Sequence, residues 1–383
     1  MRFSSHIGTL GLAALIFGTG LTACNKKADS PNEILIGEYG SLTGGTATFG
    51  QSTHKGVSMA VEEINAAGGI LGRKIKVITE DDQGKPEEAQ TVVTKLISKD
   101  RVSAILGEVA SSNSLAAAPV CQQNRIPMVT PASTNPKVTQ IGDYVFRICF
   151  IDPFQGLVMA KFTFNSLKMK KVAILRDIKS DYSMGLADFF KQNFMAMGGE
   201  IVSDESYSQG DKDFNAQLTS IKGKNPEAVF VPGYYTEVGL IARQARKLGI
   251  TGPLMGGDGW DSDKLWEIGG EALNGCFFSN HYSVNDPSPA IQNFVSVFRT
   301  KYGGETPDAM AALGYDAAKV LFDAIRRAGS DKPDSVRMAL TQVQGYSGVT
   351  GSITLNENRD AVKPAVVLEV KDGKFAFKET VAP

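Results

Sequence analysis

Two sets of polar residues stand out because each follows a short apolar run. Within 103–136, the runs SAIL and IPMV are followed at once by small residues, among them Ser111, Ser112, Ala132 and Thr134. A buried parallel strand reads as such a continuous apolar run, and open α/β sheets bind ligands where their strands end. These four residues therefore fall at one sheet rim. One of the two serines is expected to cap the apolar helix over 115–120, leaving backbone N–H groups that attract carboxylate or phosphate. Ordinary capping and turn formation would use the same residue types. Farther on, Tyr182 follows VAILRDIKSD, Tyr234 follows AVFVPG and Asp258 follows PLMGG, again at strand ends. Taken singly, Asp258 can cap a short helix running through Trp266, and the tyrosines can be half-buried packing residues. Taken together, N–H and hydroxyl donors facing a carboxylate and phenols suit a zwitterion.

Catalytic patterns fare worse. Ser52-Thr53-His54-Lys55 fits S-x-x-K, but neither S-D-N nor K-T-G accompanies it, so it reads as the first turn of a helix. Phosphate-cradling and zinc-protease motifs do not occur, and beyond the first two dozen residues only His54 and His281 remain for a triad or a metal. The expectation is a non-enzyme without catalytic residues, metal or cofactor.

The elements that must position these residues alternate. EILIGEYG is a strand, and Val57, Ala60, Val61 and Ile64 then recur at helical spacing until Gly68 and Gly69. KIKVITEDD is a second strand, followed by a helix opened by Pro86 with the stripe Ala89, Val92, Val93, Leu96 and Ile97. Near 144–153 the strand YVFRICF leads to Asp152-Pro153, a helix start, and the pattern begins again with KKVAILRD. MAMGGEIV echoes NAAGGILG, AVFVPG echoes SAILGE and PLMGGD echoes IPMVTP. Two lobes of similar α/β topology follow.

Length and charge agree. A chain of 383 residues exceeds what one core organises, and a net charge of -1 argues against nucleic acid as a partner. The start of the chain reads as a leader: Arg2, an apolar glycine-containing run over 7–21, and LTAC ending at Cys24, which looks like a bacterial lipobox with lipidation of Cys24. Residues 25–33 then form a tether, and the protein is expected to be exported and lipid-anchored to a bacterial membrane, periplasmic or at the cell surface. Cys121, Cys149 and Cys276 lack metal or disulfide spacing and are expected to be buried thiols.

The lipobox, GSLTGGTATFG, INAAGGILGRKI, EDDQGKPEEA, GEVASS, TPAST, DYSMGLA and PGYYTEVG together resemble the type I periplasmic binding proteins of the leucine/isoleucine/valine family, over essentially the whole mature chain. The resemblance implies two Rossmann-like lobes joined by a three-segment hinge, 34–151 plus 281–357 forming one and 152–280 plus 358–383 the other. It implies that Ser111, the Ala132 backbone and Thr134 hold a ligand α-carboxylate and share its ammonium, that Asp258 and Tyr234 meet the ammonium, and that Tyr182 closes over the ligand. Val109 and Phe49 match pocket-wall positions. Family members carry Glu where Asp258 stands and Tyr where Phe49 stands, and a disulfide pair is replaced by Gln83 and Ala110. The shorter acid, with Trp260 beside it, leaves room for a different ligand. The implied function is capture of an amino acid, branched-chain or related, by a monomer that hands it to an ABC permease. A sensor subunit, or a binder of amides, urea or aromatic acids, would share the fold.

Overall fold

Alternation of apolar strand and amphipathic helix produces two parallel sheets. The computed structural model describes residues 1, 3, 4 and 32–383. The expected leader cleavage and lipidation at Cys24, with tether residues 25–31, lie outside the described residues.

The chain runs through β1 (Glu33–Gly40), α1 (Ala47–Ala66), β2 (Lys74–Asp81), α2 (Pro86–Ser98), β3 (Ala104–Leu106), α3 (Ser111–Asn124), β4 (Met128–Thr130), α4 (Lys137–Gln140) and β5 (Val145–Arg147). These strands form a parallel sheet in the order β2-β1-β3-β4-β5. Next come α5 (Asp152–Lys161), β6 (Lys171–Asp177), α6 (Asp181–Ala196), β7 (Glu200–Tyr207), α7 (Asn215–Gly223), β8 (Ala228–Phe230), α8 (Tyr235–Lys247), β9 (Leu254–Gly256), α9 (Asp263–Gly269) and β10 (Cys276–Asn280). The order β7-β6-β8-β9-β10 repeats the first sheet's winding, as the echo in the sequence predicts. The remainder is α10 (Pro289–Lys301), α11 (Ala309–Ala328), α12 (Pro333–Leu340), β11 (Tyr346–Gly348), β12 (Gly351–Leu355), β13 (Ala361–Val362), β14 (Ala365–Lys371) and β15 (Lys374–Val381). β14 and β15 extend the second sheet antiparallel, joined through Asp372 (φ 47) and Gly373 (φ 75), the left-handed pair that a two-residue hairpin favours.

Strand periodicity divides the first lobe's core into two layers. Ile34, Ile36, Ala104 and Leu106 pack with α1, α11 and α12, whereas Leu35 and Ile105 face α2 and α3. Helices α1 and α11 approach closely through glycine. A Cβ on Gly56 would lie 2.0 Å from the Ala311 carbonyl oxygen, and one on Gly314 would lie 2.6 Å from that of Thr53. The second core centres on Phe190, Phe194 and Phe230, with the Phe190 and Phe230 rings stacked at 4.0 Å. Cys121, Cys149 and Cys276 are buried thiols.

The chain passes between the sheets after β5, after β10 and before β14. Arg147, fully buried at the end of β5, clamps the first passage to the third. Its Nε donates to Asp360 Oδ1 at 2.5 Å, and its Nη2 to Thr139 Oγ1 at 2.9 Å. Thr139 in turn donates to the same Asp360 oxygen at 2.8 Å. Removing the carboxylate leaves a guanidinium stranded out of water. Asp360→Ala is expected to cost about 3–5 kcal/mol, read as a lower urea midpoint at unchanged slope; an unaltered midpoint would show that the clamp carries no stability.

Candidate functional site

Each predicted polar residue sits just beyond the C-terminal end of a strand, where neighbouring strands diverge and backbone groups lose their ladder partners. Ala132 and Thr134 follow β4, Tyr182 follows β6, Tyr234 follows β8 and Asp258 follows β9. The two sheets turn these rims toward one another. Phe49, Val109, Ala132, Thr134, Tyr182, Tyr234 and Asp258 line one small, tightly closed cavity, joined by Gly259 and Met310. Ser111 is not in its wall. It is buried behind it, and its hydroxyl accepts the Asn135 N–H at 3.2 Å, next to Thr134.

Three local expectations need correction. Neither serine caps α3: Ala110 holds the cap position in extended conformation (φ -74, ψ 126), and Ser111 is the first helical residue. The Ser112 hydroxyl instead reaches the facing lobe, donating to Asp181 Oδ2 at 2.9 Å and accepting the Asp181 N–H at 3.0 Å. Asp258 does not cap the helix through Trp266 either. That helix, α9, is capped by Ser262, whose hydroxyl accepts the Lys264 N–H at 3.2 Å. Trp260 does not line the cavity beside Asp258: it is fully buried and donates from Nε1 to the Val231 carbonyl at 3.0 Å.

The lobes are closed on each other. Thr48 Oγ1 and Ser262 Oγ lie 2.9 Å apart, Thr236 Oγ1 donates to the Gly45 carbonyl at 2.7 Å, and Asn135 Nδ2 donates to the Asp181 carbonyl at 2.8 Å. Phe49 packs edge-on against Tyr234 and Tyr235 at 5.7 and 4.9 Å, so first-lobe residues belong to the second lobe's core. Tyr182 and Tyr234 stack nearly parallel at 5.3 Å, and burial raises both phenol pKa values, which keeps them neutral donors. Gly259 must be glycine here, because a Cβ would fall 2.7 Å from the Gly233 carbonyl oxygen and 3.1 Å from the Tyr182 ring.

Asp258 dominates the electrostatics. Its Oδ2 is 2.9 Å from His281 Nε2, its N–H donates to Gln155 Oε1 at 2.8 Å, and Oδ1 has no partner among the described residues although it is buried. Ser279 donates to the same Gln155 oxygen at 2.8 Å, fixing the amide. Asp152, at the start of α5, is fully buried; burial pushes its pKa up to about 8, with the Asp258 charge adding to the effect. The sequence reading gives neither His281 nor Asp152 a place in the ligand site: it weighs His281 only for a triad or a metal and Asp152 only as a helix start. His281 follows β10 as Asp258 follows β9, so the strand-end rule that finds one would have found the other.

The remaining chemical candidates are engaged elsewhere. Ser52 donates to Asp308 Oδ2 at 2.6 Å, and Lys55 pairs with Glu305, so the S-x-x-K residues do not address each other.

Two similarly wound lobes closed over a buried, half-satisfied carboxylate define a ligand-binding clamshell, not an active site. The periplasmic binding protein family matches residues 33–374. A Leu/Ile/Val-binding protein homolog of Brucella melitensis is 34% identical over 91% of this chain and 94% of its own length. Among solved structures, a leucine binding protein of Thermotoga maritima is 43% identical with a TM-score of 0.88, over 91% of this chain and 99% of that one. The branched-chain amino acid transporter substrate binding protein of Streptococcus pneumoniae, in complex with isoleucine, is 34% identical with a TM-score of 0.87, over 92% and 100%. The chain belongs to the Leu/Ile/Val family of periplasmic binding proteins; it is an exported binding protein and not an enzyme.

Asp152 makes stability depend on pH. The unfolded chain releases this proton near pH 3.9, whereas the folded protein holds it to about 8. Its contribution is therefore complete below about pH 4 and is lost as pH rises toward 8. Asp152→Asn is expected to gain on the unsubstituted protein as pH is raised from 5 to 8, measured by urea midpoints. A constant difference would mean that Asp152 is already ionised throughout.

Proposed function

We propose that the cleft captures an L-amino acid of the branched-chain type or a close relative. The protein serves an ABC importer, and this ligand is its cargo. The observation that carries the reading is Asp258 Oδ1, a buried carboxylate oxygen without a partner among the described residues, in the wall of a cavity that both lobes line. An ammonium answers it, since a buried carboxylate is tolerated when it is paired and hydrogen-bonded. The ligand's carboxylate lies toward Ala132, Thr134 and the start of α3, where Ser111 and Ser112 carry N–H groups that have no intrahelical acceptor by position. Tyr182 and Tyr234 cover the α-carbon, and Phe49, Val109 and Met310 receive the side chain. Residues 34–151 with 281–357 move as one lobe and 152–280 with 358–383 as the other, hinged at the three passages. Because one chain supplies both halves of the site, a monomer suffices. Lipid on Cys24 tethers it to the membrane that holds its permease.

Closure then depends on ligand contacts that exist only when the lobes meet. Thermal unfolding of the full chain, refolded free of carried-over ligand, tests this against L-leucine, L-isoleucine, L-valine, benzoate and urea. A true ligand at a hundred times its Kd adds about 2.7 kcal/mol of stability. The expected pattern is a rise with branched-chain amino acids, weakened by about 2–5 kcal/mol of binding energy in Asp258→Ala. Stabilisation by benzoate or urea alone would overturn the ammonium assignment.

A further inference from the structure

We propose that His281 is a positioning residue for ligand capture, donating its Nε2–H to Asp258 Oδ2 so that Oδ1 is the acceptor presented to the ligand. The inference rests on the amino-acid reading above and adds the group that prepares the carboxylate. β9 and β10 are adjacent and parallel, so the residues that follow them meet at the rim. The His281 ring is fully buried and lies 2.9 Å from Asp258 through Nε2. It stacks on Phe150 with centroids 3.8 Å apart and planes 22° from parallel. Its backbone N–H donates to Asn280 Oδ1 at 2.8 Å, while Asn280 Nδ2 donates to Asp261 Oδ2 at 2.9 Å. Ring and carboxylate are thus held from both sides, Asp258 by Gln155 and His281 by Phe150 and Asn280.

The tautomer follows from the partners. A carboxylate only accepts, so the shared proton sits on Nε2. Nδ1 has no partner among the described residues, and a bare lone pair there costs less than an unanswered N–H. Burial lowers the imidazole's proton affinity, while Asp258 opposes this and Lys363, from the third passage, adds to the lowering. Asp152, Asp261, Cys149, Tyr182 and Tyr234 are the further titratable groups that feel the Asp258 charge. A neutral ring supplies a hydrogen bond without supplying charge. The Asp258 charge therefore stays available for a cation, whereas an imidazolium or a lysine in the same place would cancel it.

Two measurements decide the matter on the full chain. In 15N-labelled protein at pH 7.5, the His281 side-chain nitrogens are expected to report a protonated Nε2 and a bare Nδ1. The opposite tautomer overturns the proposal, whether or not any variant folds. In titrations with L-leucine, His281→Leu is expected to bind at least about tenfold more weakly, the weight of a hydrogen bond to a charged group. His281→Gln, whose amide can donate from the same place, should recover most of that loss. In an Asp258→Ala background His281→Leu should change affinity by less than about threefold. Full affinity in His281→Leu, failure of the glutamine to recover, or an equal loss without Asp258 would each overturn the positioning role. Wild-type affinity in Asp258→Ala would instead overturn the ammonium reading, and the variants at His281 would not be its cause.

Discussion

Holding a carboxylate out of water with only one oxygen answered is costly, and much of the second lobe is arranged around keeping Asp258 in that condition. Its backbone is pinned by Gln155, which Ser279 fixes in turn, and its other oxygen meets His281. The glycine that follows it lets the tyrosine rings close in. Burial of the neighbouring Asp152 keeps a second negative charge from forming beside it below about pH 8. A site of this kind is selective because it is incomplete: a ligand without a cation leaves the penalty in place, and one with it removes the penalty.

Closure itself rests on few contacts. The hydrogen bonds that close the lips run through short hydroxyl side chains, an asparagine, the Asp181 carboxylate and backbone groups, not through long charged side chains. Such bonds are each worth about 1 kcal/mol net, since water offers equivalents when the lobes part. The buried clamp of Arg147 and Asp360 belongs to the passages between lobes and anchors the axis of motion. Strength at the hinge with modest bonding at the lips is the distribution that lets a small ligand tip the balance.

Much of this was legible in the sequence because strand ends are easy to read. AIL, IPMV, AVFV and PLM are apolar through and through, as strands covered on both faces must be, and the polar residues after them fall at the rim. The cap of α3 was not legible. Choosing between Ala110 and Ser111 depends on one residue's backbone angles, which the buried Glu108 carboxylate fixes by accepting the Ala110 N–H. Trp260 was misread because its distance from Asp258 in sequence says nothing about which side of a short 3-10 turn it leaves by. His281 escaped because histidine was weighed only as a nucleophile's base or a metal ligand, while its work here is to orient a neighbour.

The order in which the chain is made gives the first lobe a peculiar history. The face of its sheet that carries Ile34 and Ile36 is covered by α11 and α12, yet the whole of the second sheet's parallel core lies between α1 and α11 in the chain. At about 5–20 residues per second, more than ten seconds separate the emergence of α1 from that of its partner helix. During that interval the glycine-lined contact between Gly56 and Ala311 cannot form, and that face of the early strands is covered by α1 alone. Long-range pairing of this kind also folds slowly once the chain is complete. A nascent polypeptide so delayed remains threadable, which is the state a translocation channel for unfolded chains requires of its cargo.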